Sequence, residues 1–165
     1  MRRRKTISPD YFHSGFFGVE DSLVSTTGAL AGIAISATSK EAIIATALVI
    51  IAVESTSMAA SEFISEETEE DVEKEKIPAN PIISGLIIFV GYIIAGMVPL
   101  IPYLLLPHLQ AIPVSIVAAL MGLLALGIFK GKVTHKSKLR AAVEVLIIGG
   151  IAAGIGLAVG IIFKI

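Results

Sequence analysis

Residues 81–106 read PIISGLIIFVGYIIAGMVPLIPYLLL and contain no Asp, Glu, Lys or Arg. An apolar stretch of about 20 residues is long enough to cross the hydrocarbon core of a bilayer as a helix. The lipid interior offers the backbone no water, so a crossing segment must be a helix or a strand of a closed barrel. The unbroken length of this stretch predicts a transmembrane helix.

The rest of the chain follows the same pattern. The whole chain is 55% apolar and 16% charged, with a mean hydropathy of +0.86, which is far more apolar than a soluble domain tolerates. We therefore predict an all-α integral membrane protein with five transmembrane helices per subunit. The predicted spans are residues 15–39, 41–64, 81–106, 111–129 and 141–163. They form one domain over 15–164, which follows a cytoplasmic or interfacial segment at 1–14 and includes a short acidic cytoplasmic insert at 65–80.

The basic residues predict the orientation of these spans, because cytoplasmic loops carry an excess of Lys and Arg. With the N-terminus inside, 11 of the 13 basic residues lie on the cytoplasmic side and the C-terminus lies outside. The inner residues are Arg2, Arg3, Arg4, Lys5, Lys74, Lys76, Lys130, Lys132, Lys136, Lys138 and Arg140, and the outer ones are Lys40 and Lys164. Residues 6–14 lack the continuous apolar core of a secretory signal, so we expect the first segment to be retained.

The second span carries acidic residues at bilayer depth. Glu54, Met58 and Glu62 recur at i, i+4 and i+8 and form one stripe on the helix. Glu54 lies 13 residues after Glu41, which at about 1.5 Å per residue is roughly 20 Å below the outer surface. No span supplies a basic residue, so Glu54 must be protonated, bound to a cation or exposed to a hydrated path. Carboxylates beside a thioether suit a borderline divalent ion such as Fe²⁺ better than Mg²⁺ or Ca²⁺.

The first span has a polar face near its cytoplasmic end. Asp21, Ser25, Gly28 and Gly32 share this face, and a carboxylate at bilayer depth usually meets a partner, a cavity or a substrate path. We therefore predict a functional role for Asp21. Its neighbour Glu20 is expected at headgroup level, with its side chain reaching water.

Three further features leave alternatives open. The acidic run with Glu66, Glu67, Glu69 and Glu70 is either a solvated helix end or a cluster that attracts cations to a pore mouth. Pro99 and Pro102 are expected to break or kink the third helix and are a candidate gate. In the fifth span, glycine pairs four residues apart, 150–154 and 156–160, permit close helix contact and give weak support for a homodimer.

Several of these residues lie in motifs that resemble those of the vacuolar iron transporter family. Residues 18–26, GVEDSLVST, are similar to the family's first-helix signature, and residues 57–63, SMAASEF, to its second-helix signature. Asn80-Pro81, followed by Gly96 and by PLIP at 99–102, looks like the family's third helix. Ser22 and Ser61 stand where the family usually has glycine, and its plant-type pore glutamate corresponds to Ile50, one turn before Glu54.

The resemblance implies a homodimer whose pore lies between the subunits and is lined by the first two helices. It implies exchange of protons for Fe²⁺ or Mn²⁺, carried out of the cytosol as substrate, with no permanent cofactor and no nucleic-acid partner. Asp21 and Met58 match the first-helix aspartate and second-helix methionine of the family, which take part in metal passage, and Glu62 matches the glutamate common in its prokaryotic members. The chain resembles a short member that lacks most of the family's cytoplasmic metal-binding domain. The expected location is the cell membrane of a prokaryote or a vacuole-type membrane of a eukaryote.

Two functions therefore compete. The first is proton-coupled metal transport through Asp21, Glu54, Met58 and Glu62. The alternative is a non-transporting membrane protein that binds or responds to metal, and a purely structural helix bundle ranks last because it leaves Glu54 unexplained. An enzyme is not expected, since the spans contain no nucleophile–base pair and no nucleotide-binding loop.

Overall fold

The computed structural model describes residues 8–36, 39–72, 79–135 and 137–163, and the elements in these ranges are all helices. They are α1 (Pro9–Ser36), α2 (Lys40–Val72), α3 (Pro81–Leu105), α4 (His108–Val133) and α5 (Lys138–Ile162). The prediction of an all-α protein is confirmed for these ranges. Eight residues used for the orientation lie outside them, namely Arg2, Arg3, Arg4, Lys5, Lys74, Lys76, Lys136 and Lys164, and the side chains of residues 70–72 are not described either.

Four of the described helices, α2 to α5, are long and apolar enough to cross a membrane. Helix α1 has 28 residues, so its length is also sufficient. Polar side chains near its centre make α1 less apolar than a typical span, and these are Glu20, Asp21, Ser22, Ser25, Thr26 and Thr27. Length and composition thus support four of the five predicted spans, and α1 stays the predicted fifth.

The outer surface of the bundle is apolar along α2 to α5. Large side chains are exposed there, among them Val49, Val53, Leu86, Ile94, Leu105, Val117, Met121, Ile147, Ile151 and Ile155. A soluble protein rarely exposes so large an apolar surface, whereas lipid chains would cover it favourably. The surface therefore agrees with an integral membrane protein.

Helix α3 begins at a well-defined cap. The Asn80 side chain accepts hydrogen bonds from the backbone N–H groups of Ile82 and Ile83, at 3.0 and 3.3 Å, and Pro81 occupies the first helical position. The backbone N–H of Asn80 in turn donates to the hydroxyl of Tyr11, 2.9 Å away. This bond holds the first turns of α1 and α3 together at one end of the bundle.

Pro99 and Pro102 do not break α3, which continues through both prolines to Leu105. The expectation of a break is therefore wrong, and a kink or gate at these prolines stays a prediction. Both prolines are buried, and the Ser115 hydroxyl donates to the carbonyl oxygen of Pro99 at 2.7 Å. This bond joins α4 to the proline-containing part of α3.

Helices α1 and α3 form the centre of the packing. Helix α3 lies against α1, α2 and α4, while α5 packs on α1 and α4, and the direct contact between α1 and α2 is smaller. One buried cluster joins α1, α2, α3 and α4 around Leu30, Ile43, Tyr92 and Leu100. A second cluster joins α1, α3, α4 and α5, and it contains Leu23, Ala95, Leu123 and Val145. This arrangement places the polar face of α1 beside α3 and near α2.

The glycines of α5 are used in two different ways. A Cβ atom at Gly156 would lie 1.9 Å from the carbonyl oxygen of Gly28, and one at Gly160 would lie 2.3 Å from that of Gly32. A Cβ atom at Gly150 or at position 154 would meet nothing within 4 Å. The pair 156–160 therefore serves the contact between α1 and α5 inside one subunit.

Candidate metal site

Asp21 of α1 and Glu54 of α2 lie within electrostatic range of each other. Asp21 is half-buried, whereas Glu54 is exposed on the outer surface of the subunit. Two ionised carboxylates within electrostatic range repel each other, and a bound cation would relieve that repulsion. The structure thus brings together two of the four residues predicted from the sequence.

Tyr92 of α3 completes this level of the site, and the sequence analysis missed it. Its side chain is fully buried, and its hydroxyl lies 2.7 Å from the Ser25 hydroxyl and within electrostatic range of Asp21 and Glu54. The Ser22 hydroxyl donates to the carbonyl oxygen of Tyr92 at 2.7 Å. The sequence did contain one indication, a tyrosine near the middle of an uncharged span. It was not used because an aromatic side chain in such a position usually only fills the core.

Met58 lies one helical turn from Glu54 on α2. Its side chain is partly buried and packs against the buried cluster that contains Ile51 and Tyr92. Met58 therefore packs in the same region between α2 and α3 as Tyr92. A soft sulfur ligand can bind a borderline transition metal from this position.

Glu62 lies at a second level, nearer the acidic end of α2. The hydroxyl of Ser14 on α1 donates to a carboxylate oxygen of Glu62, with 2.5 Å between the oxygen atoms. The same hydroxyl lies 2.8 Å from the backbone carbonyl oxygen of Asp10. Glu62 is half-exposed, so it connects the α1–α2 contact with the surface.

The acidic run extends α2 as a helix to Val72. Glu66 is half-exposed and within electrostatic range of Asp10 and Glu62, and the Ser84 hydroxyl donates to it at 3.3 Å. Glu67 and Glu69 are exposed, while the side chain of Glu70 lies outside the described part of the chain. Glu66 therefore joins the second level.

These two levels are too far apart for one ion. Glu54 and Glu62 are eight residues apart on a continuous helix, which corresponds to about 12 Å along its axis. Within the described residues, no three His, Asp or Glu side chains come close enough together to hold a metal. One subunit therefore offers pairs of ligands at two successive levels instead of one closed coordination shell.

Glu20 is the neighbour of Asp21 on α1 and lies within electrostatic range of it. It lines a shallow crevice of about 280 Å³ together with Phe16, Phe17 and Lys130. Lys130 also lies over the ring of Phe16, with 5.9 Å between the ammonium nitrogen and the ring centroid. Aromatic rings beside charged groups are typical of a membrane interface, which agrees with the interfacial position expected for Glu20.

The glycines of the polar face of α1 do not line this site. Gly28 and Gly32 pack against α5, whereas Ser25 reaches Tyr92. The face that looked continuous in the sequence is therefore divided between a half that meets α3 through Ser25 and a half that packs on α5. The division arises because the close approach of the α1 and α5 backbones requires glycine, while the Asp21 carboxylate requires polar neighbours.

Removal of the Tyr92 hydroxyl tests whether it organises this level. We expect Tyr92→Phe to preserve the fold, because the ring still fills its buried position, and to lower stability by about 0.6 kcal/mol, the average for a hydrogen bond between membrane helices. Thermal unfolding of the purified protein measures the effect. Ser25→Ala should cause a similar loss, and the double variant little more, because both changes remove the same bond. A double variant whose loss equals the sum of two independent losses would contradict the pairing.

Comparison with known proteins points to one family. A model of the VIT family matches residues 12–80 and 73–161, which together include nearly the whole chain. Vacuolar iron transporter 1 of Arabidopsis thaliana is 38% identical over 77 residues, which is 46% of this chain and 31% of that protein. The vacuolar iron transporter of Centaurea cyanus is 34% identical over 86 residues, or 50% of this chain and 35% of that protein. The matched segments span about a third of the length of these relatives.

Proposed function

This chain belongs to the VIT family, and on that premise we propose that it moves Fe²⁺, and also Mn²⁺, out of the cytosol in exchange for protons. The family resemblance deduced from the motifs is thereby confirmed. The relatives are transporters by name, which agrees with the prediction that the chain is not an enzyme. Metal transport across a membrane is the general activity that the family supports, and the exchange for protons is the more specific part of the proposal.

The proposal depends chiefly on the level that contains Asp21, Glu54 and Tyr92. A charged carboxylate at bilayer depth costs about 3 kcal/mol on insertion scales, so a pair of them is retained only for a reason. A divalent cation neutralises both carboxylates at once, and two protons do the same when the cation has left. Metal and protons therefore compete for the same oxygen atoms, which is the basis of an exchange mechanism.

Met58 supports a transition metal as the cargo. Its thioether lies next to the carboxylate level, and sulfur is a poor ligand for Mg²⁺ and Ca²⁺ but an acceptable one for Fe²⁺. Carboxylate oxygens alone would favour the two harder ions. The combination therefore selects against the abundant cations of a cell.

Ser14 positions Glu62 at the second level. A serine hydroxyl carries one proton, yet Ser14 has two acceptors within hydrogen-bonding distance, Glu62 and the Asp10 carbonyl. The hydroxyl therefore joins the Glu62 carboxylate of α2 to the backbone of α1. This contact holds Glu62 at the α1–α2 interface, where it can receive a metal ion from the acidic end of α2.

We propose that two copies of the chain form the pathway. Glu54 is exposed near the middle of α2, and among the described residues of one subunit no three acidic or histidine side chains gather to form a shell. A two-fold axis beside α1 and α2 would double Asp21, Glu54 and Met58 around one path and remove Glu54 from lipid. In this arrangement α1 acts as the fifth span, the N-terminus is cytoplasmic, and the acidic run of α2 gathers cations at the entrance.

Uptake into proteoliposomes tests this proposal directly. We expect Fe²⁺ to enter vesicles when a proton gradient is imposed, and a protonophore to abolish the stimulation. Met58→Leu keeps the side-chain volume but removes the sulfur, so it should reduce Fe²⁺ uptake without unfolding the protein. Met121→Leu, at an exposed methionine outside the site, is the matched control. Metal binding without uptake would overturn the proposal and favour the non-transporting alternative.

A further inference from the structure

The ends of α4 and α5 enclose a polar crevice that the proposed transport does not use. It has a volume of about 470 Å³. Its lining consists of Lys130, Thr134, Ser137, Arg140, Ala141 and Glu144. Two cations and two hydroxyl groups therefore face one opening.

The sequence builds this crevice by a tight turn between the two helices. His135 adopts the left-handed conformation, with φ of 55°, which reverses the chain direction. Just before the turn, a Cβ atom at Gly131 would lie 2.6 Å from the Cα atom of Lys138, so the two helix ends are in backbone contact. Lys130, before this contact, and Arg140, after it, are thereby held on one side of the bundle.

The surroundings of the crevice are both basic and apolar. Lys132 and Lys138 are exposed next to it and add positive charge, while Glu144 is the acidic residue in its lining. Exposed apolar side chains flank it on α4 and α5, namely Phe129, Val133, Leu139 and Val143. A ligand that matches this surface has an anionic head and an apolar body.

We propose that this crevice binds the phosphate of an anionic phospholipid head group. Basic pockets between membrane helices are suited to such head groups, because the cations pair with the phosphate while the acyl chains lie along the apolar rim. Arg140 presents a planar fork to phosphate oxygens, and Lys130 adds a point charge. The bound lipid would join α4 to α5. Because Lys130 also lies over the ring of Phe16, the lipid would be linked indirectly to α1.

Arg140 already forms an ion pair with Glu144 inside the crevice, and this pair predicts the effect of each variant. Arg140 Nε donates to a Glu144 carboxylate oxygen, 3.3 Å away, in an exposed ion pair. The carboxylate competes with a phosphate for the guanidinium group. Its removal should therefore tighten lipid binding, whereas removal of either cation should weaken it.

Native mass spectrometry of the purified full chain in detergent measures these effects. At about 0.15 M salt, where diffuse surface attraction is screened, we expect phosphatidylglycerol to bind more tightly than phosphatidylcholine. Lys130→Gln and Arg140→Gln should each weaken binding by about fivefold, because each removes a direct ion pair with the phosphate. Glu144→Gln should strengthen binding, an increase that a misfolded variant cannot produce. Lys132→Gln is the matched control, since this lysine is equally basic but does not line the crevice, and its effect should be below twofold.

Three results would overturn the proposal. Equal weakening by Lys132→Gln and Lys130→Gln would mean diffuse attraction instead of a site. Equal affinity for phosphatidylcholine and phosphatidylglycerol would exclude a preference for anionic head groups. Complete displacement of phosphatidylglycerol by inorganic phosphate at millimolar concentration would assign the crevice to free phosphate.

Discussion

Glu54→Gln is expected to abolish proton-driven Fe²⁺ uptake while leaving the protein folded. Glutamine has nearly the same shape as a protonated glutamate, but it cannot ionise and therefore cannot exchange a proton for a metal ion. Changes around a metal ligand typically cost 10- to 100-fold in affinity or activity, so removal of the ligand itself should lower uptake by at least about tenfold. The initial rate of uptake into proteoliposomes gives the result.

The surface position of Glu54 makes this test clean. The side chain is exposed on the subunit, so the substitution removes no core packing, and the thermal midpoint should not fall. Glu41→Gln is the matched control, because Glu41 lies on the same helix but in its first turn. Glu54→Asp, which retains the carboxylate, should keep part of the uptake. Uptake by Glu54→Gln at the rate of the unmodified protein would remove Glu54 from the mechanism.

Gly156→Ala is expected to cause the largest loss of stability among the glycine variants of α5. The added Cβ atom would lie 1.9 Å from the Gly28 carbonyl oxygen and 2.5 Å from its carbonyl carbon, and both are backbone atoms that cannot rotate away. Helices α1 and α5 must separate to accommodate the methyl group. Overpacking of this kind costs about 1–3 kcal/mol or more, and thermal unfolding in detergent should show a lower midpoint.

Gly154→Ala supplies the control for this prediction. Position 154 lies half a turn away on the same helix, and a Cβ atom there would meet nothing within 4 Å. Alanine is favoured over glycine in helices by about 1 kcal/mol, so this variant should be as stable as the original protein or more stable. If the two variants were equally destabilised, the close contact between α1 and α5 would be incorrect.

The candidate site was only partly predictable from the sequence. Asp21, Glu54, Met58 and Glu62 stand out because polar groups are rare in lipid-spanning helices, and that criterion applies to each helix separately. The partners of each acidic residue were not predicted, since they depend on which residues of α1 and α3 face each turn of α2. Tyr92 was not predicted for the same reason. Its ring fits the apolar pattern of α3, and the partner of its hydroxyl, Ser25, lies on another helix.

The sequence by itself determined the number of helices, the length of the apolar stretches and the acidic stripe of α2. These features follow from the thickness of the bilayer and the cost of charge within it, which act on every segment independently of its neighbours. Only the tertiary structure decided that α3 lies between α1 and α2 and that Gly156 packs on Gly28. Lipid is as apolar as the helices, so no hydrophobic force selects their partners. Close backbone contact and particular hydrogen bonds make that selection, and they exist only once two helices have met.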